Sequence, residues 1–272
     1  MSQKVALVTG ASSGIGKEAA IELKKKGFKV YAAARRIDKM QDLAAKGILP
    51  IALDVTDDES MIHAVNLILQ NDRRIDVLIN NAGYGSYGAI EDVPLDEARR
   101  QMDVNVFGLA RMIQLVTPSM RKNRSGKIIN VSSMGGKIWT KFGGWYHATK
   151  FAVEGLSDCL RLELEPFGID VIVVEPGGIK TDWGIIAAEN LRKVSAKGPY
   201  AQAAGKAADS MVKQYTGNQL SKPALIGQTI AKAVTVKKPK TRYLVGFMAK
   251  PMVFIKNVFG DRAFDRLIKN FS

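Results

Sequence analysis

Residues 4–25 read KVALVTGASSGIGKEAAIELKK, and the fold follows from how that stretch divides. KVALVTG is a short, nearly continuous apolar run of the kind buried on both faces of a sheet. From about Gly14 to Lys25 the pattern turns helical. Between the two, Gly10, Gly14 and Gly16 permit a tight turn and close approach of backbone to a pyrophosphate. The helix N-terminus then offers free N–H groups and a favourable dipole. The spacing is G-x-x-x-G-x-G, not the G-x-G-x-x-G of the general dinucleotide fingerprint. A plain structural turn is the alternative, and the strand–turn–helix context favours the phosphate reading.

Outward from this unit the rhythm repeats. FKVYAAARR, ILPIALDV, IDVLINNAG, GKIINVSS and IDVIVVEPGG read as further buried strands. SMIHAVNLILQ, a segment from about Met102 to Met120, and the run starting YHATKFAVEG read as helices between them. Apolar strands alternating with helices predict an α/β fold: a single doubly wound, Rossmann-type domain over residues 1–272. Its parallel sheet is flanked by helices on both faces, with ligands at the carboxyl ends of the strands. From about 185 to 221 the rhythm breaks into an Ala-rich helical segment interrupted at Gly198-Pro199. That segment is either a lid over the ligand crevice or a rigid pair of packed helices. A last strand near TRYLVG precedes an amphipathic basic extension over about 247–272.

Composition narrows the chemistry. Hydrophobic residues make up 46% of the 272 and charged residues 24%, an ordinary globular balance. Cys159 is the only cysteine and His63 and His147 the only histidines, which leaves no basis for a disulfide within the chain or for a metal site. A cytoplasmic location fits this cysteine usage, and neither a signal peptide nor a membrane-spanning segment is expected. The +14 charge is spread along the chain without a nucleic-acid motif, so no nucleic-acid partner is expected.

The end of the second strand bears on cofactor choice. An acid there bonds a ribose 2′-hydroxyl, whereas arginine suits a 2′-phosphate. Here Ala34 stands where the acid is expected, and Arg35 and Arg36 follow, which favours NADP(H). Further on, WYHATK puts Tyr146 and Lys150 on one face of a helix, one turn apart. A free phenol titrates near ~10, and a neighbouring ammonium is expected to lower that value. A phenol simply packed on a lysine stem is the bland alternative.

Taken together, TGASSGIG at 9–16, NNAG at 80–83, NVFG at 105–108, NVSS at 130–133, YHATK at 146–150 and PGGIKT at 176–181 resemble the ordered motifs of the short-chain dehydrogenase/reductase family. The resemblance runs motif by motif over roughly residues 3–182, and its general layout is similar to hydroxysteroid and retinol dehydrogenase-like members. It implies Tyr146 as general acid or base, Lys150 as its partner and a ligand of the nicotinamide ribose, and Asn105 as the holder of a water relay to the lysine. It also implies Ser133, thirteen residues before Tyr146, as the hydroxyl that polarises the carbonyl, with Ser132 as competitor. For the cofactor it implies Gly10, Ser12, Ser13, Gly14, Ile15 and Gly16 at the phosphates, and Arg35 and Arg36 at the 2′-phosphate. Asp54, Val55, Asn81, Ala82 and Gly83 fall near the adenine, and Pro176, Gly177, Ile179 and Thr181 near the nicotinamide. Asp54 equally reads as a helix N-cap.

The substrate side is expected from GYGSYGAI at 83–90, MGGKIWTKFGGW at 134–145 and residues past Thr181. Tyr84, Trp139, Trp145, Trp183, Ser133 and Tyr146 are the candidate substrate contacts, either lining a large apolar pocket or, for the tryptophans, plugging the fold. The expected reaction is NADPH-dependent interconversion of a carbonyl and an alcohol on a hydrophobic small molecule such as a steroid, retinoid or lipid. A dinucleotide-binding regulator without turnover and a lipid carbonyl reductase working at a membrane surface are the alternatives. The resemblance implies a homodimer or homotetramer through the helices around 102–122 and 146–167. The tail, with Phe254, Ile255, Val258, Phe259, Phe264, Leu267, Ile268 and Phe271 among basic residues, packs on the domain, spans a dimer or meets a membrane surface.

Overall fold

A computed structural model describes residues 3–270, so Phe271 lies outside the described residues. Seven strands form one parallel sheet: β1 (Val5–Thr9), β2 (Lys29–Ala34), β3 (Leu49–Ala52), β4 (Val77–Asn80), β5 (Gly126–Val131), β6 (Ile169–Pro176) and β7 (Arg242–Val245). Their order is β3-β2-β1-β4-β5-β6-β7, so the chain reverses direction across the sheet between β1 and β4. That reversal opens a crevice at the carboxyl ends, where doubly wound sheets take their ligands.

The side-chain period of two assigns each strand to two cores. From β1, Val5 and Leu7 join Met61, Val65, Met112, Val116 and Val153 on one face. Ala6 and Val8 join Ala19, Ala20, Leu23, Ile226 and Ile230 on the other. Helices α1 (Gly14–Lys25) and α9 (Pro223–Thr235) cover that second face, with the four-residue helix α2 (Gln41–Ala44) beside β3. Helices α3 (Asp58–Asp72), α5 (Gly108–Lys122) and α6 (Gly144–Leu164) cover the first. Each buried aliphatic side chain contributes roughly 1.5–3 kcal/mol, so the two faces hold the sheet from both sides.

Two elements differ from the sequence expectation. The helix expected over about Met102–Met120 is a composite of α4 (Leu95–Met102), a π-type turn at Asp103–Phe107 and α5. α9 was not anticipated, because Ile226, Gly227, Ile230, Ala231, Ala233 and Val234 are all buried and leave no clean polar stripe. Gly227 lets α9 approach α1 closely: a Cβ there would stand 2.8 Å from the Glu18 carbonyl.

The Ala-rich segment forms α7 (Trp183–Val194) and α8 (Ala201–Thr216), packed on each other and broken at Gly198-Pro199. The tail forms α10 (Ala249–Asn270), kinked at Gly260 where φ is 73°. It folds back on the domain: Met252, Val253, Phe264 and Ile268 bury against Ile138, with Met134 and Trp139 alongside. No helix among the described residues is long and apolar enough to cross a membrane.

Candidate active site

The crevice begins at the end of β1. The Thr9 hydroxyl accepts the N–H groups of Asn81 (3.0 Å) and Ala82 (3.1 Å). The Asn81 amide donates back to the carbonyls of Thr9 and Gly10, both at 3.1 Å. These bonds bolt the loop after β1 to the end of β4. Gly10 and Gly14 have φ of 65° and 55°, a region L side chains rarely adopt. Gly16 carries no side chain because a Cβ would lie 2.4 Å from the Gly10 carbonyl oxygen. The first turn of α1 holds no acid and no side chain caps it, so its N–H groups face the crevice free for an anion. The residues present therefore fit the pyrophosphate of a nicotinamide dinucleotide.

The crevice has a volume of about 2010 Å³ and runs along the carboxyl edge of the sheet. Of the residues expected to line it, all do so except Gly16, Asn105, Trp139 and Trp145. At its adenosine end Ala34 is followed by Arg35 and Arg36, with Lys39 adding a third cation. Asp54 also lines this end, and its Oδ1 accepts from the Thr56 N–H (3.0 Å) and hydroxyl (2.8 Å). The α3 cap is Asp57, which accepts from the N–H groups of Glu59 and Ser60, so the N-cap alternative for Asp54 does not hold.

The candidate reacting groups come from β5, its following turn and α6. Lys150 donates from Nζ to the Val131 carbonyl at 2.9 Å, and Nζ lies 5.9 Å from the centroid of the Tyr146 ring. Asn105, in the π-type turn, is buried behind them rather than on the crevice wall. Its amide donates to the Tyr84 carbonyl (2.9 Å) and the Thr149 hydroxyl (3.1 Å), and its Oδ1 accepts from the Tyr84 N–H (3.0 Å). Asn105 thus ties the loop after β4 to α6. The Ser133 hydroxyl neighbours the Tyr146 phenol, donates to the Pro176 carbonyl at 3.5 Å and accepts the Gly135 N–H at 3.0 Å. Ser132 also lines the crevice but is buried, and its hydroxyl packs toward Gly136 without a hydrogen-bond partner, whereas Ser133 is the serine that interacts with Tyr146.

The charge balance differs from the expectation that Lys150 acidifies Tyr146. Burial pushes the phenol well above its ordinary value, the neighbouring Tyr87 adds to the rise, and only the nearby Ser133 hydroxyl opposes it. Burial likewise lowers Lys150 to about 8, against a partly opposing Glu154. The physical reason is that both groups sit in a low-dielectric site and the ammonium is engaged by a backbone carbonyl. In the free protein Tyr146 is therefore neutral at physiological pH, the form that donates a proton.

His147 is a group the sequence reading passed over. Its Nε2 accepts the Thr140 N–H at 3.0 Å, so Nδ1 carries the proton and donates to the Gly135 carbonyl at 2.8 Å. Burial lowers its pKa, which keeps it neutral while it holds the turn bearing Ser133.

Another part of the crevice is aromatic. The Trp183 ring lies 4.9 Å from that of Tyr146, 5.8 Å from Tyr87 and 6.1 Å from Tyr215. Bare backbone allows this packing: a Cβ on Gly85 would meet the Trp183 ring at 2.4 Å, and one on Gly184 would meet Tyr215 at 2.3 Å. Tyr84 donates to Glu97 at 3.0 Å. Two expected contacts are corrected. Trp139 stacks edge-on against Phe264 at 5.4 Å and donates to Asp265 at 2.8 Å, because the tail covers it. Trp145 is half-buried at the start of α6 and off the crevice wall, its indole N–H buried without a partner. Tyr215, on α8, takes the place these two left.

Compared with known proteins, residues 4–191 match the family described as short chain dehydrogenase. A Bacteroides thetaiotaomicron protein named 3-ketodihydrosphingosine reductase is 39% identical over 90% of this chain and 89% of its own. The crystal structure of a short-chain dehydrogenase from Streptomyces avermitilis is similar with a TM-score of 0.81 at 33% identity, covering 93% of this chain and 91% of that one. A metagenomic short-chain oxidoreductase in complex with NADP gives a TM-score of 0.70 at 25% identity, over 90% of this chain and 97% of that one.

The raised phenol yields a direct spectroscopic expectation. Ultraviolet titration of wild type and Tyr146→Phe should coincide up to about pH 10, where ordinary tyrosines ionise. A phenolate signal near neutral pH that vanishes in the variant would show that Lys150 outweighs burial after all.

Proposed function

Because the chain belongs to the short-chain dehydrogenase/reductase family, we propose that it is an NADP(H)-dependent oxidoreductase interconverting a carbonyl and an alcohol on a hydrophobic substrate. The observation that carries this reading is a neutral, buried Tyr146 phenol beside Ser133, in the same crevice as a glycine cradle. When bound, a nicotinamide dinucleotide supplies or accepts hydride. The chain's own residues manage the proton. In reduction, Tyr146 donates from Oη to the carbonyl oxygen while the Ser133 hydroxyl polarises it. In oxidation the same phenol accepts the proton. Lys150, held at Val131, stabilises the phenolate as it forms, and Asn105 keeps α6 in register with the loop after β4.

NADP(H) is supported by Arg35, Arg36 and Lys39 around Ala34, where a guanidinium clamps a 2′-phosphate and no carboxylate side chain replaces Ala34 to repel it. The NADP-bound metagenomic neighbour points the same way. A hydrophobic substrate is supported by Tyr87, Trp183, Tyr215 and Met211 on the crevice wall. The name of the Bacteroides relative, a reductase of a keto-lipid, favours the lipid class over steroid or retinoid. Exposed Phe107, Phe151 and Leu162 near α5 and on α6 support contact between copies, hence a homodimer or homotetramer. A reducing cytoplasm suits the one exposed thiol, Cys159.

One observation favours a further reading, in which the enzyme works at a lipid surface. Phe254 and Phe259 are each 62% exposed on α10 and Val258 57%, beside the exposed Lys250 and Arg262. Met252 and Ile268 of the same helix line the crevice. Apolar side chains flanked by cations suit an anionic membrane interface.

With NADPH and a panel of long-chain and cyclic ketones, wild type should turn over, and Tyr146→Phe should lose roughly 10²-fold or more while binding NADPH normally. Full activity in the variant would remove Tyr146 from the reaction, and binding without turnover by wild type would make the chain a dinucleotide sensor. Arg35→Asp should lower the preference for NADPH over NADH by about tenfold or more, the order of a charged hydrogen bond. An unchanged ratio would mean that Arg35 does not read the phosphate. Wild type should co-sediment with anionic vesicles and not with zwitterionic ones, and Phe254→Asp combined with Phe259→Asp should abolish pelleting. Equal pelleting of the two proteins would exclude the surface reading.

A further inference from the structure

One turn beyond Lys150, on the same face of α6, Glu154 is only 5% exposed, and Glu175 near the end of β6 only 3%. Neither has a part in the chemistry above. Lys137, after the turn that follows β5, reaches Glu154 Oε2 at 3.0 Å and Glu175 Oε1 at 3.7 Å. Arg242 of β7 reaches the same two oxygens at 3.0 and 3.3 Å, and also Asp158 at 2.7 Å. Asp158 in turn meets Arg161 on α6 at 2.5 Å. Two carboxyls from two elements are thus gripped by two cations from two others.

The pair carries an internal conflict. Like charges this close cannot both ionise cheaply in a buried site. Glu154 Oε1 and Glu175 Oε1 are both buried without a hydrogen-bond partner, Glu175 Oε1 having only its longer ion contacts, and the two carboxyls share the cations Lys137 and Arg242. A single proton between them satisfies both oxygens and removes the repulsion. Burial first, and then the Glu154 charge, raise Glu175 to about 7. A proton shared by the pair and drawn toward Glu175 leaves one negative charge, on the Glu154 side.

That charge has a neighbour. Lys150 is buried, and Glu154 is the anion that works against the loss of its proton. We propose that Glu154 and Glu175 are positioning residues: the pair shares one proton, the charge left on Glu154 keeps Lys150 an ammonium, and Lys137 and Arg242 fasten the pair to the turn after β5 and to β7. The inference rests on the reading in which Lys150 serves Tyr146.

The sign is fixed by charge. Removing the Glu154 anion leaves burial unopposed, so Lys150 loses its proton at lower pH than in wild type. Replacing Glu175 by glutamine gives Glu154 an N–H donor and leaves it fully ionised, so Lys150 holds its proton to equal or higher pH. Two substitutions in one cluster thus act in opposite senses, which mere loosening of the fold does not produce.

The test is lysine ¹³Cε NMR titration of the full chain, with the Lys150 resonance identified by its absence in Lys150→Arg. Glu154→Gln should move the Lys150 titration to lower pH, Glu154→Asp should restore it, and Glu175→Gln should leave it in place or raise it. In parallel, the alkaline limb of kcat with NADPH and a ketone should shift in the same directions. A Lys150 titration unmoved by Glu154→Gln, or lowered by both glutamine substitutions, overturns the proposal. Where Glu154→Gln does not fold, Glu175→Gln alone decides, a lowered titration overturning it. An inactive wild type would defeat the functional reading while leaving the NMR result to stand or fall by itself.

Discussion

The bond from Lys150 Nζ to the Val131 carbonyl is the contact on which the site depends. It joins α6 to the carboxyl end of β5, and the Asn130–Ser157 bond at 2.9 Å repeats the join lower on the same strand. With α6 so held, Tyr146 lines the crevice near Ser133, its ring 4.9 Å from that of Trp183. The crevice exists because the sheet reverses direction between β1 and β4, and Thr9 keeps those two strand ends together. Topology opens the space, and a few buried hydrogen bonds decide which side chains face it.

Burial governs the electrostatics of that space. It holds the Tyr146 phenol neutral and brings the Lys150 ammonium to about 8, close enough to neutrality that a nearby charge matters. In the proposed reaction this keeps the proton on the neutral phenol and leaves a cation near the place where negative charge would develop. Stabilisation that grows only as the phenolate forms favours the transition state over the ground state. The cluster around Glu154 and Glu175 belongs to the same balance, since a buried ammonium stays charged only if an anion opposes desolvation.

Much of this was legible in the residues. The glycines at 10, 14 and 16 announced a turn that only missing side chains allow, and the apolar runs announced strands buried on both faces. The succession of strands through β6 followed from alternation alone, while α2 and α4 did not. What could not be read depends on distance in the chain. Trp139 looked like a crevice residue because it lies between Ser133 and Tyr146, yet Phe264 and Asp265, over a hundred residues later, take its ring. α9 escaped because a helix buried on most sides has no stripe. The i,i+4 spacing correctly placed Tyr146 and Lys150 on one face, but spacing carries no dielectric, so the sense of the phenol's shift was misjudged. Glu154 and Glu175 looked like ordinary acids until the fold brought them together.

The central claim is that the buried phenol and the Ser133 hydroxyl converge on one oxygen of the substrate. A crystal structure of the chain with oxidised NADP and a hydrophobic alcohol tests it most directly. The account predicts the alcohol oxygen within about 2.6–3.2 Å of both Tyr146 Oη and Ser133 Oγ. An alcohol oxygen held by any other pair of groups, with Tyr146 still closed under Trp183, would contradict it.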